Sequence, residues 1–212
     1  MELYEAIHSR RDVRHFRPDP LPETALGRIL EAAHHAGSVG FMQPWSFLLV
    51  RSLATRRRIA AHFERENELA AQVYQDERAA LYRSLKLAGI TDSPLNIAVT
   101  CDRSRGGPHV LGRRTMPETD LFSTCCAVQN LWLAARAEGI GVGWVSIIEP
   151  EAVKAELGIP QDLVLVAYLC VGYPVAFAPE PMLETAGWAR RLPLRDVVYD
   201  GAWGAPWREP EG

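Results

Sequence analysis

Three arginines and one aspartate fall within five consecutive residues near the start of the chain. Guanidinium groups carry a permanent charge and several planar donors, which suits them to a phosphate group. We therefore predict that this arginine segment, Arg10–Arg14, binds a phosphate, with a solvated basic stretch as the alternative. Asp12 is a candidate acid–base group, and we expect the neighbouring arginines to keep its carboxylate ionised.

A second stretch, Gly37–Trp45, could approach a flat ligand closely. Its glycines leave room for backbone contact, so an N–H near Gly40 could reach a ring. Ser38 and Gln43 offer side-chain hydrogen bonds, and Phe41 or Trp45 could stack. An ordinary helix-to-strand turn is the alternative for this Gln-Pro-Trp loop.

A third stretch, the glycine strand Gly139–Ser146, alternates glycines with larger residues. Such spacing suggests that the backbone passes beneath something bulky, with Ser146 at the edge of that surface. A simple helix end followed by a strand is the alternative. None of the three stretches has the spacing of a dinucleotide fingerprint, and the chain has no P-loop.

Metal and hydrolase chemistry find no support in the sequence, so we expect no metal. The motifs typical of zinc peptidases and of serine hydrolases are both missing. The four cysteines lie in apolar runs without a Cys-x-x-Cys pair, so we predict reduced thiols packed as small hydrophobic residues. They are Cys101, Cys125, Cys126 and Cys170.

The composition is that of a single folded domain of 212 residues, 48% hydrophobic and 23% charged. With 23 basic and 26 acidic residues, the net charge of −3 gives no general attraction to nucleic acid or to a membrane. We find neither a signal-peptide pattern nor a long apolar run, and we expect a cytoplasmic protein.

Apolar spacing and chain breakers predict helices that outnumber strands, an α+β or α/β class with one sheet between helices. Residues 119–138 are apolar nearly all round, which places that helix at a domain centre or a subunit interface. We predict helices over 2–9, 22–36, 53–88 (in one or two pieces), 119–138 and 151–157, and strands over 45–51, 96–101, 143–148 and 163–172.

Two regions do not fit this pattern. The polar stretch 102–117 is long for a loop in a compact domain, which is typical of a functional or mobile segment. The last 40 residues contain six prolines and three tryptophans without a clear period. We expect this tail to lie across another surface, either its own domain or a partner subunit.

In this order, the three stretches resemble those of the nitroreductase-like flavoproteins, and the resemblance covers almost the whole chain. In that family the arginine segment binds the phosphate of FMN, while the other two stretches contact its isoalloxazine ring. The resemblance implies an α+β fold whose central, mainly antiparallel sheet is flanked by helices. It also implies a homodimer with two flavin sites, a lid over about 66–90 and a C-terminal arm over about 173–212 that crosses to the partner.

One subgroup of the family is more similar still. Asp12 replaces the usual serine, and the stretches 38–45, 107–120 and 181–188 also match that subgroup. The resemblance implies that reduced FMN is the substrate. Dioxygen would fragment it to 5,6-dimethylbenzimidazole, the lower ligand of vitamin B12, and erythrose 4-phosphate. A separate flavin reductase would supply the reduced FMN.

Within this scheme Asp12 is our first candidate for acid–base catalysis, and Ser146 is the second. Lys86, on the expected lid, could reach an anionic part of the flavin. The implied flavin contacts are Arg10, Arg11, Asp12, Val13, Arg14, Ser38, Gly40, Gln43, Lys86, Ser146, Ile147 and Arg190.

Two other functions remain open at this point. An NAD(P)H-dependent nitro-, quinone or flavin reductase could use the same fold, but it needs an open face above the flavin. A protein that only binds or stores FMN could use the same phosphate site.

Overall fold

A computed structural model of the chain describes residues 1–208, and there it shows four strands and seven α-helices. The strands are β1 (Trp45–Val50), β2 (Leu95–Cys101), β3 (Gly141–Val145) and β4 (Val164–Gly172). The helices are α1 (Leu3–Ser9), α2 (Glu23–His34), α3 (Leu53–Ala71), α4 (Asp76–Ser84), α5 (Thr119–Ala137), α6 (Pro150–Leu157) and α7 (Met182–Thr185). The chain forms two compact units, one over residues 1–179 and one from Glu180 onward.

The four strands form one sheet in the order β1-β2-β4-β3, and every neighbouring pair is antiparallel. This confirms the α+β class with a mainly antiparallel sheet. β2 is buried along its whole length because both faces of the sheet are covered. The sheet is therefore the rigid platform to which the candidate segments attach.

Side chains on the two faces of the sheet belong to two separate apolar clusters. On one face Ile97 and Leu169 pack with the cluster that contains Ile29 of α2 and Leu131 of α5. On the other face Tyr168 packs with the cluster that also contains residues of α3 and α6. Each large apolar side chain buried in this way contributes about 1.5–3 kcal/mol.

One side of α5 is buried in the centre of the domain, as predicted, and the other side is open in the single chain. Leu131 is fully buried, whereas Phe122 is 54% exposed. Cys125 and Cys126 are also exposed, so the prediction that all four cysteines are packed inside was wrong for this pair. The exposed stripe of α5 consists of Phe122, Cys125, Cys126 and Gln129.

The second unit has little regular structure beyond α7, the 3-10 turn Leu194–Asp196 and a bridge between Tyr199 and Pro206. Trp203 is 91% exposed, and several other apolar side chains of this unit are also open to solvent. A segment this small rarely buries enough apolar surface to be stable by itself.

Candidate functional site

The arginine segment lies along the free edge of β3. Asp12 forms a parallel bridge with Val142, whose carbonyl accepts a hydrogen bond of 3.0 Å from the Val13 N–H. The Trp144 N–H donates to Oδ1 of Asp12 at 2.9 Å. Arg14 donates to the Trp144 carbonyl at 2.8 Å and also pairs with Asp12. The structure therefore brings the first and third candidate stretches together.

The glycines of β3 are what allow this close approach. A Cβ added at Gly143 would stand 2.1 Å from the carbonyl oxygen of Val13, and one at Gly141 would stand 2.8 Å from the Val13 side chain. The bulky group predicted above these glycines is thus the arginine segment itself. Any larger residue at Gly143 would push the segment away from the strand.

The three arginines make different contacts. Arg11 donates to the carbonyls of His8 and Arg10, at 2.8 and 2.7 Å, and also to that of Pro179. The Arg10 guanidinium lies 4.6 Å from the centre of the Trp132 ring, within range of a cation–π contact. Arg11 therefore anchors the end of α1, while Arg14 faces the carboxylate of Asp12.

The prediction that the arginines keep Asp12 ionised stays a prediction, but their charges are not the largest influence on the pKa of this carboxyl. Burial raises the pKa of the Asp12 carboxyl above its ordinary value. The charges of Arg14 and Arg10 and the Trp144 N–H lower that pKa, but they offset the desolvation only in part. Protein surrounds this carboxyl closely, yet 43% of its side chain stays open to an approaching ligand.

The arginine segment fits an anionic ligand such as FMN. Its three guanidinium groups and one carboxylate leave a formal charge of +2, which a phosphate could balance. Within residues 1–208, Nε and Nη1 of Arg14 and Nε of Arg11 are buried without a hydrogen-bond partner. Buried donors are normally paired, so these atoms leave hydrogen-bonding capacity that an additional acceptor would satisfy.

The Gln-Pro-Trp loop lies at the opposite corner of the sheet. Trp45 of β1 lies opposite Cys101 of β2, which lies opposite Val164 of β4. Asp12 lies beside Val142 of β3, which lies opposite Val171 of β4. Val164 and Val171 are seven residues apart along β4, or about 23 Å. Across the strands, from β1 through β2, β4 and β3 to the arginine segment, the two stretches are four strand spacings apart, about 19 Å. One chain therefore does not bring these two stretches together.

Contacts within the Gln-Pro-Trp loop define its shape. The Gln43 N–H donates to Oγ of Ser38 at 3.1 Å, and Gly40 adopts a left-handed φ of +50°. Trp45 is only 3% exposed, and its indole N–H donates to His34 at 3.1 Å. The suggestion that Trp45 could stack on a ligand was wrong, because its ring is a buried part of the fold.

Lys86 follows α4 and lies close to the arginine segment. Its ammonium pairs with Asp92 and lies 3.4 Å from Nδ1 of His15, the residue after Arg14. α3 and α4 are joined by a hydrogen bond of 2.8 Å from the Tyr82 hydroxyl to Asn67. The predicted helical stretch 53–88 is therefore two helices.

The remaining candidate residues lie at two places. Ser146 and Ile147 directly follow β3, and Ser146 borders a small hollow of about 140 Å³ beside β4. Arg190 belongs to the second unit, where it lines a hollow of about 450 Å³ with Arg191. Across residues 1–208, no group of His, Cys, Asp or Glu side chains is placed to hold a metal ion, and no helix is long and apolar enough to cross a membrane.

Sequence reasoning missed several residues that shape the site. Trp144 supplies both the N–H and the carbonyl that fix Asp12 and Arg14. Its position inside the glycine strand indicated that it lies near the site. Its backbone contacts depend on how the arginine segment is aligned with β3, and the sequence does not reveal that register. Nothing in the sequence indicated that His15 lies beside Lys86.

Comparisons with known proteins agree with this geometry. The sequence model of the "Nitroreductase family" matches residues 7–173 of this chain. A 5,6-dimethylbenzimidazole synthase of Rhodospirillum rubrum is 47% identical over 87% of this chain and 87% of its own. One from Rhodobacter capsulatus is 44% identical over 90% of this chain and 92% of its own.

Similarity to solved structures supports the same fold. The crystal structure of oxidized iodotyrosine deiodinase bound to FMN and 3-iodo-L-tyrosine superposes with a TM-score of 0.75. The match covers 95% of this chain and 100% of the deiodinase chain, at 22% sequence identity. From these matches and from the arrangement of its strands, the chain belongs to the nitroreductase family.

Proposed function

We propose that this protein is a 5,6-dimethylbenzimidazole synthase, which uses dioxygen to fragment reduced FMN to 5,6-dimethylbenzimidazole and erythrose 4-phosphate. Its main support is the identity to the Rhodospirillum and Rhodobacter enzymes along most of the chain. The structural feature that supports it best is Asp12, an acid–base group of raised pKa at the open edge of β3.

The arginine segment is the part of the chain suited to hold FMN. Arg10 supplies charge for the phosphate, and the unpaired donors of Arg14 and Arg11 supply hydrogen bonds to acceptor atoms. Val13 is buried and keeps this segment on β3. When bound, reduced FMN supplies both the carbon skeleton of the product and the electrons for dioxygen.

Asp12 holds or transfers a proton. Oδ1 is fixed by the Trp144 N–H, and the carboxylate also pairs with Arg14, so its orientation is defined before substrate arrives. Because burial raises its pKa, the carboxyl keeps its proton to a higher pH than an ordinary aspartate does. General acid–base catalysis of this kind contributes about 10²–10⁴-fold to a rate.

Ser146 is the second catalytic candidate. It directly follows β3, two residues after Trp144, and it is an exposed residue. There it can donate or accept a hydrogen bond at the edge of the ring system, with Ile147 beside it. This role positions reacting groups and needs no change of charge on the serine.

A homodimer completes the site. The Gln-Pro-Trp loop contacts α5 at Ser123, and the arginine segment contacts α5 at Trp132, nine residues or about 14 Å farther along the helix. The exposed stripe of α5 overlaps the first part of this interval. If two copies of α5 pair antiparallel through that stripe, the loop of each chain is brought toward the partner's arginine segment. Ser38, Gly40 and Gln43 then act on the flavin of the partner subunit.

Exclusion of water favours fragmentation of the flavin over release of hydrogen peroxide. We assign this task to a lid over about 66–90, with Lys86 turned toward the flavin, and to the C-terminal arm, with Arg190. A separate flavin reductase supplies the reduced FMN. All four cysteines are free thiols, which fits a reducing compartment such as the cytoplasm.

The competing function is a nicotinamide-dependent nitro-, quinone or flavin reductase of the same family. Incubation of the protein with FMN and NADH or NADPH, with and without a nitroaromatic or quinone acceptor, separates the two. We expect no protein-dependent oxidation of the nicotinamide. Rapid oxidation with the flavin returned intact would favour the reductase.

A further inference from the structure

Arg56 of α3 is a buried cation that the proposed mechanism does not use. The residue is only 7% exposed, and burial lowers its pKa. Among residues 1–208, no carboxylate forms a salt bridge with it, and its Nε is buried without a hydrogen-bond partner. Burial of an unpaired charge is costly, so an arginine here indicates a structural demand that a neutral side chain does not meet.

The guanidinium of Arg56 holds the turn Gly89–Ser93, which leads from α4 to β2. Its Nη1 donates to the carbonyl of Ser93 and lies 3.5 Å from the carbonyl oxygen of Ile90. The turn is closed by a hydrogen bond of 3.0 Å from the Ser93 N–H to the carbonyl of Gly89. These contacts fix the turn on α3.

Asp92 lies inside this turn, between the two carbonyls that face Arg56. Its carboxylate pairs with the ammonium of Lys86, whose Nζ lies 3.4 Å from Nδ1 of His15. The side chains of Asp92 and Lys86 are each 40% exposed, and an ion pair this open does little to hold a flexible side chain by itself. The ammonium therefore stays beside the arginine segment because the turn keeps Asp92 in place.

The turn also packs directly against the end of the arginine segment. A Cβ added at Gly89 would stand 2.9 Å from the carbonyl oxygen of Arg14 and 2.7 Å from the Phe16 ring. No side chain separates the two stretches at this point. A shift of the turn would therefore move Lys86 relative to the arginine segment.

We propose that Arg56 is a positioning residue of the flavin site, which holds the Lys86 ammonium beside the arginine segment through the turn Gly89–Ser93. Arg56 is buried in protein and acts through this turn, without touching the ligand. A guanidinium suits the task because its several donors, fixed in one plane, can face two carbonyls at once. The inference rests on the proposed function for FMN as the ligand and for the contact of Lys86 with it.

Lysine labelling tests the position of Lys86 without any ligand. The chain has only one other lysine, Lys154, which is 3% exposed and pairs with Glu151. Brief acetylation with an N-hydroxysuccinimide ester, read by peptide mass spectrometry, gives the rate at each lysine. We expect Lys86 to react about two- to fivefold faster in Arg56→Met, because its ammonium is released from Asp92. Lys154 should react slowly in both proteins, which shows that the fold as a whole has not loosened.

Titration with oxidised FMN, followed by quenching of flavin fluorescence, tests the consequence for the site. We expect Arg56→Met to weaken binding about two- to thirtyfold. Arg56→Lys should weaken it less, since an ammonium can still hold one carbonyl.

Two control variants accompany this titration. Arg58→Met makes the same chemical change two residues farther along α3, where the arginine is exposed and pairs with Glu156. Ile29→Val removes a methylene group from the apolar cluster on the other face of the sheet, so it lowers the melting temperature without touching the turn. Both controls should bind FMN as the wild type does.

Lys86→Met separates positioning from a general loss of stability. If Arg56 acts through Lys86, Arg56→Met should weaken FMN binding much less when Lys86→Met is already present. A fold that is weakened as a whole would lose the same factor in both backgrounds.

Additive losses of FMN affinity would overturn the inference, as would equal labelling of Lys86 in Arg56→Met and the wild type. Wild-type FMN affinity of Lys86→Met would do the same. If Arg56→Met does not fold, Arg56→Lys carries the same comparisons. Because the labelling needs no flavin and the titrations need no turnover, a protein that passes both but forms no benzimidazole would refute the proposed function alone.

Discussion

At the residue scale, the proposed chemistry depends on one carboxyl group, Asp12, and on the backbone of Trp144 that orients it. Asparagine keeps the shape of this side chain and an oxygen for the Trp144 N–H, but it cannot transfer a proton. We expect Asp12→Asn to bind reduced FMN and to form benzimidazole at least about 100-fold more slowly. Product is measured by chromatography and binding by anaerobic titration. A wild-type yield of benzimidazole from this variant would mean that Asp12 takes no part in the reaction.

The pKa of Asp12 also predicts how stability changes with pH. Because burial raises the pKa in the folded protein, folding favours the protonated carboxyl. The stability of the wild type relative to Asp12→Asn should be greatest below the ordinary pKa of aspartate. It should then fall as pH rises through the folded pKa and become level above it. Urea unfolding of both proteins across a pH series measures this difference, and a difference that grows with pH would contradict the burial effect.

Residue types were predictable from the sequence, but their environments were not. The arginine segment and the glycine strand were found from spacing alone. The raised pKa of Asp12 was not anticipated, because local charges are visible in a sequence and desolvation is not. Trp45 was offered as a stacking residue because nothing in the sequence shows that His34 binds its indole N–H inside the fold.

At the scale of elements, periodicity located the helices and strands within a few residues. The helix predicted over 119–138 is observed as α5, and its start is the same. β3 is displaced, since the prediction was 143–148 and the strand is Gly141–Val145. Pairing of Gly141 with Gly172 sets where the ladder begins.

Gly143→Ala tests the docking of the arginine segment on β3. The added methyl group would overlap the Val13 carbonyl, so the segment must shift. We expect a loss of about 1–3 kcal/mol in unfolding free energy together with weaker FMN binding. Gly27→Ala, where nothing lies within 4 Å, is the control and should leave FMN binding unchanged. Equal behaviour of the two variants in urea unfolding and FMN titration would mean that the segment is not held this way.

At the scale of the whole molecule, a single chain brings two of the three candidate stretches together and keeps the third apart. The sequence shows the three stretches in order, but only the strand register reveals that two lie together and the third lies at the far corner of the sheet. The exposed stripe of α5 and the open apolar residues of α1, such as Leu3 and Tyr4, give the chain a surface that a second copy can cover.

Cysteine alkylation tests that interface. In the dimer, Cys125 and Cys126 should react slowly, and Phe122→Asp, which places a charge in the stripe, should release monomers in which both react quickly. Cys101 and Cys170 serve as internal controls because both are fully buried, and burial raises the pKa of Cys170 to about 12. Mass spectrometry after iodoacetamide treatment identifies the modified residues. Rapid labelling of Cys125 and Cys126 in a protein that sediments as a dimer would mean that the interface does not include this stripe.

The most direct test of the proposed function is the fate of reduced FMN. The protein is mixed with chemically reduced FMN under nitrogen, air is admitted, and the flavin and its products are measured by chromatography and mass spectrometry. The account predicts that 5,6-dimethylbenzimidazole appears in proportion to the FMN consumed, with erythrose 4-phosphate, and that Asp12→Asn forms almost none. Quantitative recovery of intact oxidised FMN, at the same rate with and without protein, would contradict it.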